Sequence, residues 1–250
     1  MPIIYSTPGA SAETDVNRCR LWLNYQLDER KHASTARRWP GPGPAVTISD
    51  QTGSGTYEIA SRLAALLQAG EPKGAPPWTV FDRQLVEKIL EENHLPERLV
   101  KFVPEERRSF IEDVIDDLLG LHPPLWTMVP KVVQSILYLA DSGQVILVGR
   151  GAGFVTGRMP NVFHVRLIAS LPKRIERVQR LENLSPKEAA KFIARRDHGR
   201  GRYVRAYVHS RLDDDLTYHM VLNTDLVPPP EAAELIAEGA RRCFKREQVS

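Results

Sequence analysis

The sequence is poor in cysteine, in net charge and in long apolar runs. Its two cysteines, Cys19 and Cys243, match no metal-ligand spacing and provide no disulfide framework, which favours a reducing compartment such as the cytoplasm. The 34 basic and 31 acidic side chains leave a formal charge of +3, too small to indicate a nucleic-acid partner. No apolar run approaches the roughly 18 residues of a membrane helix, and the N-terminal residues lack a basic flank followed by an apolar core. We therefore expect a soluble, unsecreted, cytoplasmic protein with neither a membrane nor a nucleic-acid partner.

Motifs of several enzyme classes are also missing. The histidines are scattered and form no metal-ligand or nucleophile motif, and the sequence identifies no metal ligands. It contains no G-x-S-x-G elbow of the kind that serine hydrolases use. The segment GRGAGF at 149–154 lacks the third glycine of a dinucleotide-binding fingerprint and lies late in the chain. These absences argue against serine hydrolysis and against oxidoreductase chemistry.

The chain divides into two parts of unequal length. Residues 13–38 have the apolar spacing of an amphipathic helix, and WPGPGP at 39–44 breaks any helix and is typical of a linker. We therefore predict an N-terminal helical extension with its linker over residues 1–44 and one domain over residues 45–250. The extension is a candidate surface for docking a partner or for forming a homo-oligomer.

Within the larger part, short apolar runs alternate with helical segments, which predicts an α/β domain with a parallel sheet. A mostly helical stretch over 96–141, broken by LHPPLW at 121–126, indicates an insertion or a substrate-covering segment. The predicted strands are AVTIS (45–49), WTVFD (78–82), QVILVG (144–149), NVFHVRLIA (161–169) and YHMVLNT (218–224).

A glycine loop, DQTGSGTYEIA at 50–60, lies between the first strand and the first helix of the domain. Glycines there let backbone N–H groups approach phosphate oxygens, and the helix N-terminus adds a partial positive charge. The pattern departs from a full P-loop, G-x-x-x-x-G-K-[ST], because Asp50 replaces the first glycine and Thr56 replaces the lysine. The alternative to a phosphate site is a tight strand-to-helix turn without a ligand.

Two arginine-bearing segments follow predicted strands. FDR at 81–83 and GRGAGF both lie at the carboxyl end of a strand, where ligands bind in open α/β sheets. Glycines on both sides of Arg150 leave its planar guanidinium exposed for bidentate phosphate binding, against the alternative of a structural salt bridge. Asp82 has the alternative role of capping the following helix.

A third arginine-rich segment runs from Arg195 to Arg211. Kinases bring arginines over the migrating phosphoryl group on a mobile cover, and Gly199 and Gly201 would give such a cover backbone freedom. A solvated basic face is the alternative.

These segments together identify a family. The stretches VTISDQTGSGTYEIASRLA, FDRQLVEKIL, VILVGRGAGF, RRDHGRGRYVRAY and VLNTD resemble the cytidylate kinase-like family, a branch of the nucleoside-monophosphate kinases, over roughly residues 45 to 240. Members commonly carry a lysine-free loop of the form S-R-x-x-G-S-G, so Thr56 follows a family trait. Asp50 departs from it, because the family usually has arginine there.

The resemblance implies a P-loop kinase fold, with five parallel strands, helices on both faces, a helical insertion and an arginine-rich lid. It implies transfer of the γ-phosphoryl group of ATP, with Mg²⁺, to a nucleoside monophosphate such as CMP. The alternative is a non-catalytic nucleotide-binding sensor or an interaction protein on the same fold. The residues implied are Gly53, Ser54, Gly55, Thr56, Asn223 and Thr224 for the nucleotide cofactor, Asp82, Arg83 and Arg150 for the acceptor, and Arg196, Arg200 and Arg205 for catalysis.

Overall fold

The computed structural model describes residues 21–22, 42–82, 129–149, 151–208 and 215–247, with side chains described in these ranges except at 129–131, 199–208 and 247. Most of the predicted N-terminal extension and the first part of the predicted helical insertion lie outside the described residues. The division into residues 1–44 and 45–250 therefore stays a prediction.

Strands and helices alternate along the described chain, as the apolar pattern predicts. A 3₁₀ turn at Asp215–Thr217 precedes the last strand. The elements in chain order are β1 (Ala45–Asp50), α1 (Thr56–Ala69), β2 (Thr79–Phe81), α2 (Val129–Ser142), β3 (Val145–Val148), α3 (Ala152–Val155), β4 (Val162–Ile168), α4 (Leu171–Glu182), α5 (Pro186–Val208), β5 (Met220–Asn223) and α6 (Pro229–Glu247).

The five strands form one parallel sheet in the order β2-β3-β1-β4-β5. Strand β1 is central, with Ile48 opposite Val148 on one side and Val165 on the other. The predicted five-stranded parallel sheet is confirmed. Because the strand order reverses at β1, the crevice at its carboxyl end is where an open α/β sheet binds ligands.

Helices α1 and α6 cover one face of the sheet. In α1, Ile59, Leu63 and Leu67 recur every fourth residue and are buried against Val46 and Ile48 of β1. This spacing places one stripe of the helix on the core. A residue four positions beyond another lies one turn further along the same face, so the apolar period both forms the helix and fixes its orientation.

The opposite face is packed by α2 and α3, and it includes a residue from far upstream. Trp22 is fully buried and meets Phe81 edge to face, with 5.4 Å between ring centroids. Its indole N–H donates to the carbonyl oxygen of Gly143 at 3.2 Å. Trp22, which belongs to the predicted N-terminal extension, is therefore part of the domain core.

Strand β4 is buried on both faces, but its two faces differ in polarity. Phe163, Val165 and Leu167 belong to the apolar core under α1 and α6. On the other face His164 and Arg166 are buried at 5% and 8% exposure. The run VFHVRLI therefore gives one apolar face and one polar face. In the part of the chain that the structure describes, no helix combines the length and apolar character needed to cross a bilayer.

Candidate functional site

The glycine loop joins the carboxyl end of β1 to α1, as the sequence predicts. Gly53 and Gly55 have φ of +87° and +89°, a region that other residues adopt with strain. The backbone of Gly53 also packs closely against α4, because a Cβ atom added to it would be 2.8 Å from the carbonyl oxygen of Arg174. The loop therefore needs glycine at Gly53 for both its conformation and its packing.

A carboxylate and two hydroxyls lie at the first turn of α1. Thr56, at the position of the P-loop lysine, donates its hydroxyl to Oδ2 of Asp50 at 2.9 Å. The Ser54 hydroxyl lies 3.2 Å from that of Thr56, and both residues are buried. The N–H groups of a helix's first turn have no partner within the helix, so they and its dipole favour an anion there. In place of the lysine of an ordinary P-loop, this chain thus has a threonine hydroxyl that is hydrogen-bonded to the Asp50 carboxylate.

Arg177 of α4 ties the glycine loop to the end of β5. Its guanidinium donates to the Thr224 hydroxyl at 2.9 Å and to the Thr224 carbonyl oxygen at 2.6 Å, and it reaches the Gly53 carbonyl oxygen at 3.5 Å. The Thr224 backbone N–H donates to the carbonyl oxygen of Ile168 at 2.9 Å. One side chain thereby sets the spacing of the two segments predicted to hold the cofactor.

The residues after β5 form a closed turn. The side-chain oxygen of Asn223 accepts the N–H of Asp225 at 3.0 Å. Oδ2 of Asp225 accepts the N–H of Ser170 at 3.0 Å, and this bond, with the positive charges of Arg177 and Lys173, holds the pKa of Asp225 below its ordinary value. Asn223 and Thr224 thus lie beside the glycine loop, and the side-chain oxygens of both already accept hydrogen bonds within the chain.

Arg174 of α4 and Asp197 of α5 form an ion pair on the glycine loop. Nη1 of Arg174 donates to Oδ2 of Asp197 at 2.5 Å. Oδ1 of Asp197 accepts the hydroxyl of Thr52 at 2.7 Å and its backbone N–H at 3.2 Å. Burial opposes ionisation of Asp197, but the bonds from Arg174 and Thr52 and the charge of Arg174 outweigh it, so the pKa of this carboxyl lies below its ordinary value.

The polar face of the sheet lies on the side of α3. The hydroxyl of Thr47 and Nδ1 of His164 are 2.8 Å apart. Further along the same face the Tyr218 hydroxyl donates to Ser49 at 3.2 Å, and the Arg166 guanidinium lies 5.6 Å from the Tyr218 ring centroid. Burial, and next the neighbouring His219, lower the pKa of His164 to about 4.

Several predicted site residues lie at this edge of the sheet, and others fall outside the description. Asp82 directly follows β2, at the same sheet edge as the glycine loop. Arg196 lies over the Phe192 ring at 4.7 Å, on the side where α5 packs on α4. Arg83 and Arg150 lie outside the described residues, and Arg200 and Arg205 belong to α5 but their side chains are not described. The roles assigned to these residues stay predictions.

The residues that hold this loop carry only weak signals in the sequence. Arg174 and Arg177 lie three apart on a helix, a pattern that fits a donor-site role or a surface position equally, and for Asp197 the sequence indicates only that it could orient a neighbouring arginine, as it does with Arg174. Thr52 was missed altogether. The available signal was the spacing of the two arginines, three apart on the helix after β4, which places them on one face.

The strand order, the glycine loop after the central strand and the arginine-bearing helices after β4 define a P-loop kinase fold of the α/β class. Residues 45–226 match the sequence profile of the cytidylate kinase-like family, and the chain belongs to that family. The resemblance found in the sequence is confirmed.

One solved structure is similar in fold, and a second shows a weaker likeness. An uncharacterized protein from Eubacterium ventriosum is 18% identical with a TM-score of 0.52, the match covering 80% of this chain and 98% of that one. The shikimate kinase of Acinetobacter baumannii, solved with shikimate, is 14% identical with a TM-score of 0.37 over 78% and 92% of the two chains, a likeness too low to support an argument. The first of these supports the fold alone.

A curated relative matches over a shorter stretch. A uronate isomerase of Corynebacterium glutamicum is 31% identical over 117 residues, which are 47% of this chain and 22% of that protein. The chain therefore spans less than a quarter of the length of that relative.

Proposed function

We propose that the chain is a phosphotransferase that moves the γ-phosphoryl group of ATP to a nucleoside monophosphate, with CMP as the first candidate. The observation that carries the proposal is the glycine loop at the carboxyl end of the central strand, joined to α4 by Arg177 and by the Arg174–Asp197 pair. Phosphoryl transfer depends mainly on positioning and on charge stabilisation, which such an arrangement supplies.

The donor phosphates would lie on the glycine loop. The backbone N–H groups of Gly53, Ser54, Gly55 and Thr56 would cradle them, and the N-terminus of α1 would favour their charge. Asn223 and Thr224 would lie beside the adenine base of ATP, since Arg177 holds the turn after β5 against the glycine loop.

Asp50 and Thr56 are oxygen donors, the type that Mg²⁺ prefers. A magnesium ion usually keeps several waters and binds one or two carboxylates together with substrate phosphates, which fits a single acid beside a hydroxyl. When bound, the ion would neutralise charge on the donor phosphates. Asp50 and Thr56 would hold it on the loop side, and the Asp50–Thr56 bond would orient the hydroxyl.

The acceptor would lie between the ends of β1, β2 and β3. Arg150, Arg83 and Asp82 would grip the acceptor monophosphate and its sugar or base. Arg196, Arg200 and Arg205 would neutralise the migrating group. No general base is needed, because the acceptor phosphate is already an anion.

A coupled ATP-consumption assay over a panel of monophosphates (CMP, UMP, AMP, GMP and the deoxy forms) and related small acceptors tests this proposal. We expect turnover with a pyrimidine monophosphate. The control is the same assay without an acceptor, which measures hydrolysis of ATP by water. ATP binding without turnover on any acceptor would reject the kinase proposal.

That outcome would favour the second candidate, a non-catalytic nucleotide sensor. The observation in its favour is that Asp50 places an acid at the loop while the lysine of an ordinary P-loop is absent. The sensor predicts that nucleotide changes hydrogen exchange in α5 without being consumed.

We also propose a cytoplasmic location and a role for the N-terminal extension in docking a partner or a second copy. Because Trp22 is a core residue, removal of residues 1–20 tests the extension while keeping Trp22. Unchanged sedimentation and unchanged partner recovery after that truncation would reject the docking role, and fractionation of cells tests the location.

A further inference from the structure

Asp197 sits in the glycine loop as an anion would. Its two carboxylate oxygens take three hydrogen bonds, from the N–H of Thr52, from the Thr52 hydroxyl and from the guanidinium of Arg174. A loop N–H, a loop hydroxyl and an arginine are also donors that bind phosphoryl oxygens. The carboxylate therefore occupies a donor set that suits a phosphate group.

The donors are more buried than the acid that they hold. Thr52 is 1% exposed and the Arg174 side chain 12%, whereas the Asp197 side chain is 33% exposed. Nε of Arg174 is buried and has no hydrogen-bond partner among the described residues. Thr52 and Arg174 are thus fixed in the domain, and Arg174 has a further N–H group to donate. The more exposed Asp197 carboxylate is the group that a ligand could displace.

The helix that carries Asp197 is anchored on one side of it. Ala189, Phe192 and Ile193 of α5 pack on Val178 of α4. Beyond Asp197 the helix continues to Val208 through Gly199 and Gly201, and glycine costs about 1 kcal/mol in a helix interior relative to alanine. The part of α5 that carries Arg200 and Arg205 therefore begins where the contact with the loop ends.

We propose that Asp197 is an internal anion that occupies a phosphoryl subsite of the glycine loop, so that a nucleotide phosphate replaces it and frees the distal part of α5. No bond is made or broken in this exchange, in which one anion replaces another on the same donors. The low pKa of Asp197 keeps the carboxyl ionised at neutral pH, as a competitor must be. The inference rests on the proposed function in that the ligand is a nucleotide polyphosphate.

Calorimetric titration of ATP and of inorganic triphosphate into the wild-type chain, Asp197→Asn and Glu176→Gln tests the proposal. Glu176 is a matched control, because it lies on α4, pairs only with surface groups in the described structure and loses the same charge. Any general gain from removing one negative charge appears in both variants. We expect Asp197→Asn to bind triphosphate about tenfold more tightly than Glu176→Gln, since a charge-assisted competitor is gone.

Binding by Asp197→Asn that is equal to or weaker than that by Glu176→Gln would overturn the inference, and a merely structural role for Asp197 predicts that result. The kinase proposal fails separately. If Asp197→Asn binds triphosphate more tightly but no acceptor is phosphorylated, the internal anion stands and the kinase does not. If no protein binds either ligand, both fail.

Hydrogen exchange in the wild-type chain gives a second measurement that does not depend on how the variant folds. Saturating triphosphate should speed exchange in residues 198–208 of α5 and slow it in the first turn of α1. Unchanged or slower exchange in that part of α5 would show that Asp197 stays on the loop, and the inference would be wrong.

Discussion

Thr56 donates its hydroxyl to Asp50 across the first turn of the helix that follows the glycine loop, with 2.9 Å between Oγ1 and Oδ2. The acid that departs from the family pattern and the residue that stands in for the P-loop lysine are therefore direct partners. A change at either one alters the other, so each has to be tested with a control on the same helix.

Substitution Asp50→Asn should raise the Mg²⁺ concentration needed for half-maximal ATP turnover, by about tenfold, because an amide oxygen is a weaker ligand than a carboxylate. Magnesium titration of the coupled assay measures it. Glu58→Gln removes the same charge from an exposed surface pair on α1 and should leave the titration unchanged. Equal magnesium requirements in the wild-type chain and Asp50→Asn would remove Asp50 from the proposed metal site.

Substitution Gly53→Ala should destabilise the domain by about 2 to 4 kcal/mol, because a Cβ there combines a strained φ with a backbone collision. Gly74→Ala is the control: its φ is +88°, but nothing lies within 4 Å of the added Cβ, so it tests strain alone. Urea unfolding of the two variants should differ by the cost of the collision. Equal losses would mean that the loop shifts away from α4 at little cost.

Substitution Arg177→Ala should lower the free energy of unfolding by about 2 kcal/mol, since it removes charge-assisted bonds to the hydroxyl and carbonyl of Thr224. Arg180→Ala, one turn along on the exposed side, breaks a surface pair with Glu176 and should cost less than about 0.5 kcal/mol. Arg177→Ala should also weaken ATP binding. A loss of stability with unchanged ATP affinity would show that the turn after β5 is not part of the ATP site.

Substitution Trp22→Ala should cost about 3 to 5 kcal/mol, because it empties a fully buried site beside Phe81 and leaves the Gly143 carbonyl without its indole partner. Leu21→Ala, at a neighbour that is 62% exposed, should change stability little. Thermal and urea unfolding measure both. A small effect at Trp22 would show that the upstream segment contributes little to the core.

The free energy of unfolding should fall as the pH drops from about 6.5 to about 4, because His164 has a pKa of about 4 in the folded chain and an ordinary value of 6.5 when unfolded. Between these values the unfolded chain binds the extra proton, so acid favours unfolding, by up to about 3 kcal/mol. Urea unfolding across this pH range measures the slope. Substitution His164→Gln should flatten this slope, and an unchanged slope in that variant would remove His164 as its cause.

Most of the fold could be predicted from local patterns in the sequence. Alternating apolar runs and the glycine loop sufficed for five parallel strands around β1, because strand period, helix period and glycine conformation are all set by near neighbours. The contact of Asp197 with Thr52 joins residues 145 positions apart and depends on how α5 packs on α4. No local pattern specifies such a pairing, and the same holds for Trp22 against Gly143. His164 and Arg166 alternate with apolar residues in β4, which is the pattern of a strand with one polar face. Because the run as a whole is mostly apolar, the sequence alone did not show that this polar face is buried.

The placement of Trp22 and α6 decides which fragment of the chain can fold. The family match ends at residue 226, whereas α6 begins at Pro229 and covers one face of the sheet with Ala233, Ile236 and Phe244. A fragment cut to residues 45–226 would expose to water the part of that face that α6 covers, and it would lack Trp22 on the other face. The stretch that matches the family is therefore shorter than the packed core, which also includes Trp22 and the buried residues of α6.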